Sequence, residues 1–260
     1  MSDFSNEQKE SLNYSMPEQT SALLEKFKQA APGSQKHCLN VAVLCESVGK
    51  EVGVEHLEDL KTAAMLHDIG KMFNPEYFIE NQGGANIHEK IGNPEVSYQL
   101  LTRHVSDSIM ILHQYGFSKT VIDFIMEHHG DTAVRYFLNV AIKNNGEQSS
   151  TELVNKFRYR CPKPKSTESA ILMICDIVEA EARSKFTGNA PSDVSAVEAL
   201  IEHRIRELIE DSQLDTLRIG VLKKIQTVLA GEIKAMYHSR IKYELETENE
   251  PKQDFSDQVM

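Results

Sequence analysis

Apolar residues recur every three to four positions over most of the chain, which is the spacing of one face of an α-helix. This period predicts nine helical segments. They lie at Leu23 to Phe27, residues 34–52, Leu57 to Leu66, Asn93 to Gln114, Ser118 to His128, residues 134–141, residues 167–178, residues 192–210 and residues 218–243. No segment shows the apolar–polar alternation typical of a strand, and no internal repeat is present. The sequence therefore predicts an all-α fold built as a helical bundle.

Particular residue types predict where several of these helices begin. Pro32-Gly33 should end the first helix, and Ser34 should cap the second. Asn93-Pro94 combines a good N-cap with a proline at the first helical position. Thr167 should cap the helix that carries Asp176.

The remaining segments predict loops and tails. Residues 70–92 contain one proline and four glycines and are expected to form a long ordered loop, of the kind that often serves as a substrate-binding rim. Residues 144–151 are polar and lack periodicity, which predicts a loop or a disordered insertion. We expect a flexible lead-in at residues 1–19, one domain at residues 20–243 and an acidic, flexible tail at residues 244–260.

Composition narrows the function classes. A chain of 260 residues with 40% hydrophobic residues can bury one substantial core. The net charge of −11 disfavours binding to a nucleic-acid polymer, so a phosphate-bearing substrate would be attracted only locally, by metal ions and a few Lys or Arg side chains. The four cysteines form no CxxC pair, which favours free thiols in a reducing cytosol.

No segment predicts contact with a membrane. The chain has no run of 18 apolar residues, and its N-terminus lacks the basic and apolar regions of a secretory signal. We therefore expect a cytoplasmic protein without a membrane span in this chain.

The candidate chemistry centres on His67-Asp68, which closes the apolar helical stretch from Leu60 to Leu66 and precedes Ile69-Gly70-Lys71. An adjacent imidazole and carboxylate at a helix end suit a divalent metal ion. Further nitrogen and oxygen ligands, and no thiolate, follow at intervals along the chain, at His37, His104, His128, His129 and Asp176. This pattern favours a dinuclear metal hydrolase, in which two cations clamp a phosphodiester.

These residues carry a resemblance to a known family. His37, His67-Asp68 and Asp176 resemble the H…HD…D signature of the HD-domain metal-dependent phosphohydrolases. The segments MLHDIGKMFNPEYFIENQGGANIHEK (65–90) and IDFIMEHHGDTAVRYF (122–137) resemble the catalytic domain of seven-transmembrane HD phosphodiesterases that hydrolyse cyclic di-AMP. The resemblance covers roughly residues 20–243.

That family's domain usually follows transmembrane helices, and none is present here. Either the chain is a soluble stand-alone relative or the anchor lies outside it, and the start at Met1 favours the former.

The resemblance implies an HD-domain helical bundle with a dinuclear metal site between its helices. Two divalent or trivalent transition-metal ions, with iron or manganese expected, would be bound. One ion would be held by His37, His67, Asp68 and Asp176. The other would be held by His104, His128 and His129, with Asp68 bridging the two. A metal-bound hydroxide would then attack one phosphorus and open cyclic di-AMP to linear pApA.

Other side chains are candidates for catalysis or substrate contact. Similar enzymes suggest that Lys71 positions a phosphate or the attacking water. Tyr77 and Arg135-Tyr136 offer aromatic faces and a cation for base stacking and phosphate binding, although a core role for the aromatics is an equal alternative. His88 is a further candidate for substrate contact, alongside a surface or structural role.

Three alternatives stay open at this point. The first is an HD-type nucleotide phosphohydrolase of other specificity. The second is a cyclic di-GMP phosphodiesterase, which is disfavoured because Gly130-Asp131-Thr132 follows His128-His129 where that group has an HHExxDGxGYP pattern. The third is a nucleotide-binding regulatory module with little turnover, which would not need a full set of metal ligands. The expected partner is a small nucleotide, and a homodimer is the expected assembly.

Overall fold

A computed structural model describes residues 18–84, 86–145, 151–186 and 194–248. Eleven α-helices lie in these ranges. They are α1 (Glu18–Ala30), α2 (Pro32–Val52), α3 (Leu57–Leu66), α4 (Ile87–Ile91), α5 (Pro94–Gln114), α6 (Lys119–Glu127), α7 (Arg135–Asn145), α8 (Thr151–Lys156), α9 (Thr167–Phe186), α10 (Val194–Glu210) and α11 (Ile219–Glu248). The described residues contain no strand, only an isolated antiparallel bridge between Ala133 and Arg158. The predicted all-α fold is confirmed.

The helix α2 lies at the centre of the bundle. It packs against α1, α3, α9 and α11, while α3 and α9 also pack against α6. Its buried face carries Val41, Leu44 and Val48, which belong to the main hydrophobic core together with residues of α3, α6, α9, α10 and α11. Burial of this apolar surface supplies the main driving force for folding.

A second, smaller hydrophobic cluster lies beneath α7 and α8. Phe137, Leu138, Ala141 and Phe157 form it, and side chains of α5 pack against it. Its location matters for function because α7 forms one wall of the cleft described below.

The prediction of a loop at residues 70–92 is wrong in that most of the segment forms short helices. The segment forms three short 3₁₀ helices, Ile69–Phe73, Pro75–Tyr77 and Ile79–Asn81, and then α4. Residue 85 lies outside the described residues. Tertiary contacts explain the order, since Asn81 Oδ1 accepts hydrogen bonds from the main-chain nitrogens of Gly33 (2.9 Å) and Ser34 (3.2 Å).

The prediction that Ser34 caps α2 is therefore wrong. The helix begins earlier, at Pro32, and Asn81 satisfies two of the free N–H groups of its first turn. Gly33 permits this approach, because a Cβ atom there would lie 1.9 Å from the carbonyl oxygen of Glu80.

Other predicted boundaries were tested as well. Asn93 caps α5 through its side chain and Pro94 is the first helical residue, as predicted. Thr167 is not the cap of α9: it is the first helical residue, and Ser166 Oγ accepts from the nitrogen of Ser169 (3.1 Å). The last helix continues to Glu248, beyond the expected end at residue 243.

Three predicted segments lie largely outside the described residues. The polar stretch at 144–151 is described only at its edges, where α7 ends at Asn145 and α8 begins at Thr151. The lead-in before residue 18 and the end of the tail after residue 248 are also outside them. Within the described ranges, no helix has both the length and the apolar character needed to cross a membrane.

Candidate metal centre

Seven histidine and aspartate side chains from five segments converge at the centre of the bundle. His37 comes from α2, His104 from α5 and Asp176 from α9. His67-Asp68 and His128-His129 follow the last turns of α3 and α6, where the chain leaves the helix and can direct two successive side chains into one site. All seven are buried or nearly so.

The close approach of the first 3₁₀ helix to α5 brings Asp68 next to His104. A Cβ atom at Gly70 would lie 2.2 Å from the His104 carbonyl oxygen, so glycine is required for this packing. Ser108 fixes the contact: its Oγ accepts from the Gly70 nitrogen (2.9 Å) and donates to the His67 carbonyl oxygen (3.0 Å).

The potential ligand atoms form two groups, and the Asp68 carboxylate lies between them. In the first group, His37 Nε2 lies 2.9 Å from Asp176 Oδ1, and His67 Nε2 lies 3.7 Å from the same oxygen. In the second group, atoms within 4.8 Å of one another come from Asp68, His104, His128 and His129. Cys38 also lies within this distance of His67 and Asp68.

Asp68 faces both groups with different oxygens. Its Oδ2 lies 3.4 Å from His67 Nε2, and its Oδ1 lies 3.3 Å from His104 Nε2. Asp176 is arranged similarly, with Oδ1 toward His37 and Oδ2 3.8 Å from His129 Nδ1. A carboxylate whose two oxygens face different donor groups is the geometry expected of a bridging ligand.

Unpaired buried atoms indicate that this site fits metal ions. Three ligand atoms lack a hydrogen-bond partner among the described residues, namely His67 Nε2, Asp68 Oδ1 and His128 Nε2. Buried polar atoms without partners are costly, and native proteins rarely retain them without a reason. The donor set of imidazoles and carboxylates matches first-row transition metals.

Three histidine rings are oriented by hydrogen bonds from Nδ1, so that Nε2 faces the metal centre. His67, His104 and His128 each donate Nδ1–H to the carbonyl oxygen three residues earlier, at Ala64 (2.8 Å), Leu101 (2.7 Å) and Ile125 (2.5 Å). This fixes the tautomer and leaves Nε2 as the potential ligand atom. His37 differs, because its Nδ1 contacts the carboxylate of Glu179.

The electrostatics divide the histidines into two sets. Burial opposes charge on His37, but hydrogen bonds and charges from Asp176 and Glu179 raise its pKa to about 10. Burial lowers the pKa of His104, and burial together with neighbouring histidines lowers the pKa of His128 to about 3 and that of His129 well below its usual value. The latter three are neutral, which is the form that binds metal.

Lys71 lies at the edge of the centre between two carboxylates. Its Nζ lies 2.7 Å from Asp68 Oδ2 and 2.9 Å from Glu80 Oε1, and 4.7 Å from the ring centroid of Phe78. Although Glu80 is buried, the charge of Lys71 lowers its pKa to about 2. Burial opposes the charge of Lys71, but Asp68 and Glu80 raise its pKa above the usual value, so the ammonium group stays charged next to Asp68.

A cleft of about 1020 Å³ opens onto the metal centre. Its lining includes four of the seven centre residues (His37, His104, His129 and Asp176), together with Lys71. Its lining also includes charged residues of α9 and α10, and the aromatic and apolar residues Tyr77, His88, Leu101, Tyr136 and Phe137.

The predicted substrate-contact residues all line this cleft but differ in their freedom to bind a ligand. Tyr136 is 54% exposed. His88 donates Nε2–H to the Tyr77 carbonyl oxygen (2.8 Å) and packs against Phe137. Arg135 is paired with Glu207, which also lines the cleft, so its guanidinium must leave this ion pair to bind a ligand.

Three residues near the centre were missed by sequence reasoning. Glu179 contacts His37, Glu80 pairs with Lys71, and the ring of Tyr159 stacks on His129 with a centroid distance of 4.2 Å. Only Glu179 had a usable signal, because it lies one helical turn after Asp176 and must share its side of α9.

The comparisons with known proteins agree with this architecture. Residues 35–181 match the HD domain family. A Bacillus subtilis protein, cyclic-di-AMP phosphodiesterase PgpH, is 35% identical over 224 residues, covering 85% of this chain and 30% of its own length. An uncharacterised Synechocystis protein, slr0104, is 36% identical over 226 residues, covering 85% and 27%.

A solved structure extends the similarity to three dimensions. The crystal structure of the Listeria monocytogenes PgpH HD domain in complex with cyclic-di-AMP matches with a TM-score of 0.75 and 31% sequence identity. The match covers 83% of this chain and 97% of that domain. The present chain thus spans less than a third of the full-length relatives but nearly all of the solved domain.

Proposed function

The chain belongs to the HD-domain family, and we propose that it is a metal-dependent phosphodiesterase that opens cyclic di-AMP to linear pApA. The observation that carries the proposal is the pair of ligand groups on either side of Asp68, next to a cleft that is partly lined by aromatic residues. The similarity to a PgpH HD domain that was crystallised with cyclic-di-AMP supports the choice of substrate.

We propose two transition-metal ions, iron or manganese. His37, His67 and Asp176 would hold one, while His104, His128 and His129 would hold the other, with Asp68 shared. Bound there, two ions supply Lewis-acid activation of water and neutralise the charge of the phosphodiester.

The protein's own side chains complete the site. Lys71 is positioned to donate a hydrogen bond to the phosphodiester, because its ammonium already lies next to Asp68. Tyr77 and Tyr136 offer ring faces for the bases, and His88 orients this wall through its bond to the Tyr77 carbonyl oxygen. Arg135 would bind phosphate after leaving Glu207.

The decisive experiment is a chromatographic assay with a panel of cyclic dinucleotides and either Mn²⁺ or Fe²⁺. We expect cyclic di-AMP to open to pApA faster than cyclic di-GMP opens to pGpG. Asp68→Ala should lower turnover by orders of magnitude, since it removes a ligand shared by both ions. Retention of wild-type activity by Asp68→Ala would refute the metal mechanism. Failure to cleave any cyclic dinucleotide would refute the proposed substrate class. The chain would then fit the alternative of a nucleotide-binding regulatory module.

We also propose a cytoplasmic location and a homodimer. The buried thiols of Cys38, Cys45 and Cys175 are consistent with a reducing compartment. Light scattering of the purified chain tests the assembly, and a monomer at micromolar concentration would contradict it. Fractionation of cells tests the location.

A further inference from the structure

Glu179 is a wholly buried carboxylate that none of the roles above uses. It lies on α9 three residues after Asp176, with 0% of its surface exposed. Both of its oxygens contact α2: Oε2 receives a hydrogen bond from His37 Nδ1, and Oε1 accepts one from Asn40 Nδ2 at 2.6 Å. Because burying a charge is expensive, such complete engagement indicates a specific task.

Glu179 makes His37 unlike the other histidines of the centre. His67, His104 and His128 donate Nδ1–H to neutral carbonyl oxygens, whereas His37 donates to an anion. A charged acceptor draws the Nδ1 proton more strongly and increases the electron density at Nε2, so the imidazole becomes a stronger ligand.

The surrounding charges also favour cation binding at the group that contains His37. The group of His37, His67 and Asp176 has the charge of Glu179 directly behind His37. The group of His104, His128 and His129 lies near Asp68 and Oδ2 of Asp176, but the Nδ1 atoms of His104 and His128 face neutral carbonyl oxygens. An incoming cation is therefore attracted more strongly to the first group.

We infer that Glu179 is a positioning residue that makes the His37 position the tighter of the two metal positions, so that the two ions bind in a fixed order. The inference rests on the two-ion site proposed above. It concerns metal binding alone, and its test uses no nucleotide.

The test is a Co²⁺ titration of the metal-free 260-residue chain, followed by visible absorption, with the bound metal counted by elemental analysis. We expect the wild type to bind Co²⁺ in two resolved steps. Glu179→Gln keeps the size of the side chain and one acceptor oxygen, which can still accept from His37, but it removes the charge. It should weaken the first step by about 10- to 100-fold and leave the second unchanged.

Two further variants separate positioning from folding. Glu168→Gln changes a buried carboxylate on the same helix that accepts a hydrogen bond from the main-chain nitrogen of His56 (3.2 Å), and both steps should stay as in the wild type. Glu179→Asp retains the charge, and it should weaken the first step less than Glu179→Gln does. Circular dichroism of each metal-free variant verifies the fold.

The outcomes are distinct. Two wild-type steps that persist unchanged in Glu179→Gln would overturn the inference while leaving the two-ion site intact. Equal weakening of both steps would also overturn it, because the effect would then be general. Binding of a single Co²⁺ by the wild type would overturn the two-ion proposal and the binding order with it. Absence of phosphodiesterase activity changes none of these readings.

Discussion

The ammonium group of Lys71 lies 2.7 Å from Oδ2 of Asp68, the oxygen that faces His67, while Oδ1 of the same carboxylate faces His104. One carboxylate thus contacts a fixed cation and both groups of potential metal ligands. Lys71 Nζ also lies 2.9 Å from Oε1 of Glu80, so two carboxylates hold the ammonium group at the edge of the cleft. This arrangement gives Lys71 a role that can be separated from metal binding.

Replacing Lys71 by Met should lower turnover of cyclic di-AMP without removing the metals. Methionine has a similar length but no charge, so a hydrogen bond to the phosphodiester is lost, which costs about 100-fold in turnover. Steady-state assays with elemental analysis of the same samples check this. Lys119→Met, which removes an exposed lysine that pairs only with Asp123, is the control. Full activity in Lys71→Met would show that Lys71 has only a structural role.

Removing the metals should destabilise the fold. His67 Nε2, Asp68 Oδ1 and His128 Nε2 are buried without partners among the described residues, and bound ions would satisfy them. By mass action, saturating metal should raise the melting temperature by about 5–10 °C. Calorimetry with and without a chelator measures the shift, and Asp68→Ala should show a smaller one. An unchanged melting curve after verified metal removal would contradict a buried, coupled site.

Arg135 and Glu207 provide a paired test of substrate binding. Arg135→Ala should raise KM by about tenfold with the metal content unchanged, since a charge-assisted contact to phosphate is lost. Glu207→Gln should lower KM, because it frees the guanidinium from its ion pair. Both values come from the same kinetic assay. Equal KM values in both variants and the wild type would exclude Arg135 from substrate binding.

Gly70→Ala should damage both stability and metal binding. The added methyl group would meet main-chain atoms of α5, at 2.2 Å from the His104 oxygen and 2.6 Å from the Ser108 nitrogen, and these cannot rotate away. Overpacking of this kind costs about 1–3 kcal/mol and would separate Asp68 from His104. Thermal melts and a metal titration measure the two effects. Gly83→Ala, whose added Cβ atom meets nothing within 4 Å, should behave as the wild type.

The sequence was most informative where local physics decides the structure. The long helices follow from the period of their apolar residues, and Asn93-Pro94 starts α5 as its chemistry requires. The seven candidate ligands were predicted from the His67-Asp68 motif and the family resemblance. The structure brings their side chains together, and their role as metal ligands stays a prediction.

The sequence was least informative where distant residues decide the structure. Asn81 caps α2 although it lies 48 residues from Gly33 in the sequence, so the residues around Ser34 do not predict this contact. Residues 69–81 form short 3₁₀ turns because Glu80 and Asn81 are held by α2 and Lys71. The ion pair between Arg135 and Glu207 likewise depends on how α7 and α10 approach each other, which single-sequence periodicity does not determine.

The two hydrophobic clusters have a consequence for how such a protein diversifies. The ligand-bearing helices α2, α3, α6 and α9 are built on the main core, whereas the cleft wall at α7 rests on the separate cluster around Phe137 and Phe157. Substitutions that reshape this wall therefore alter a small packing unit, which adjoins the metal centre through α5, the helix that carries His104. Selection can change the shape of the cleft with little change in the residues that pack around α2, α3, α6 and α9.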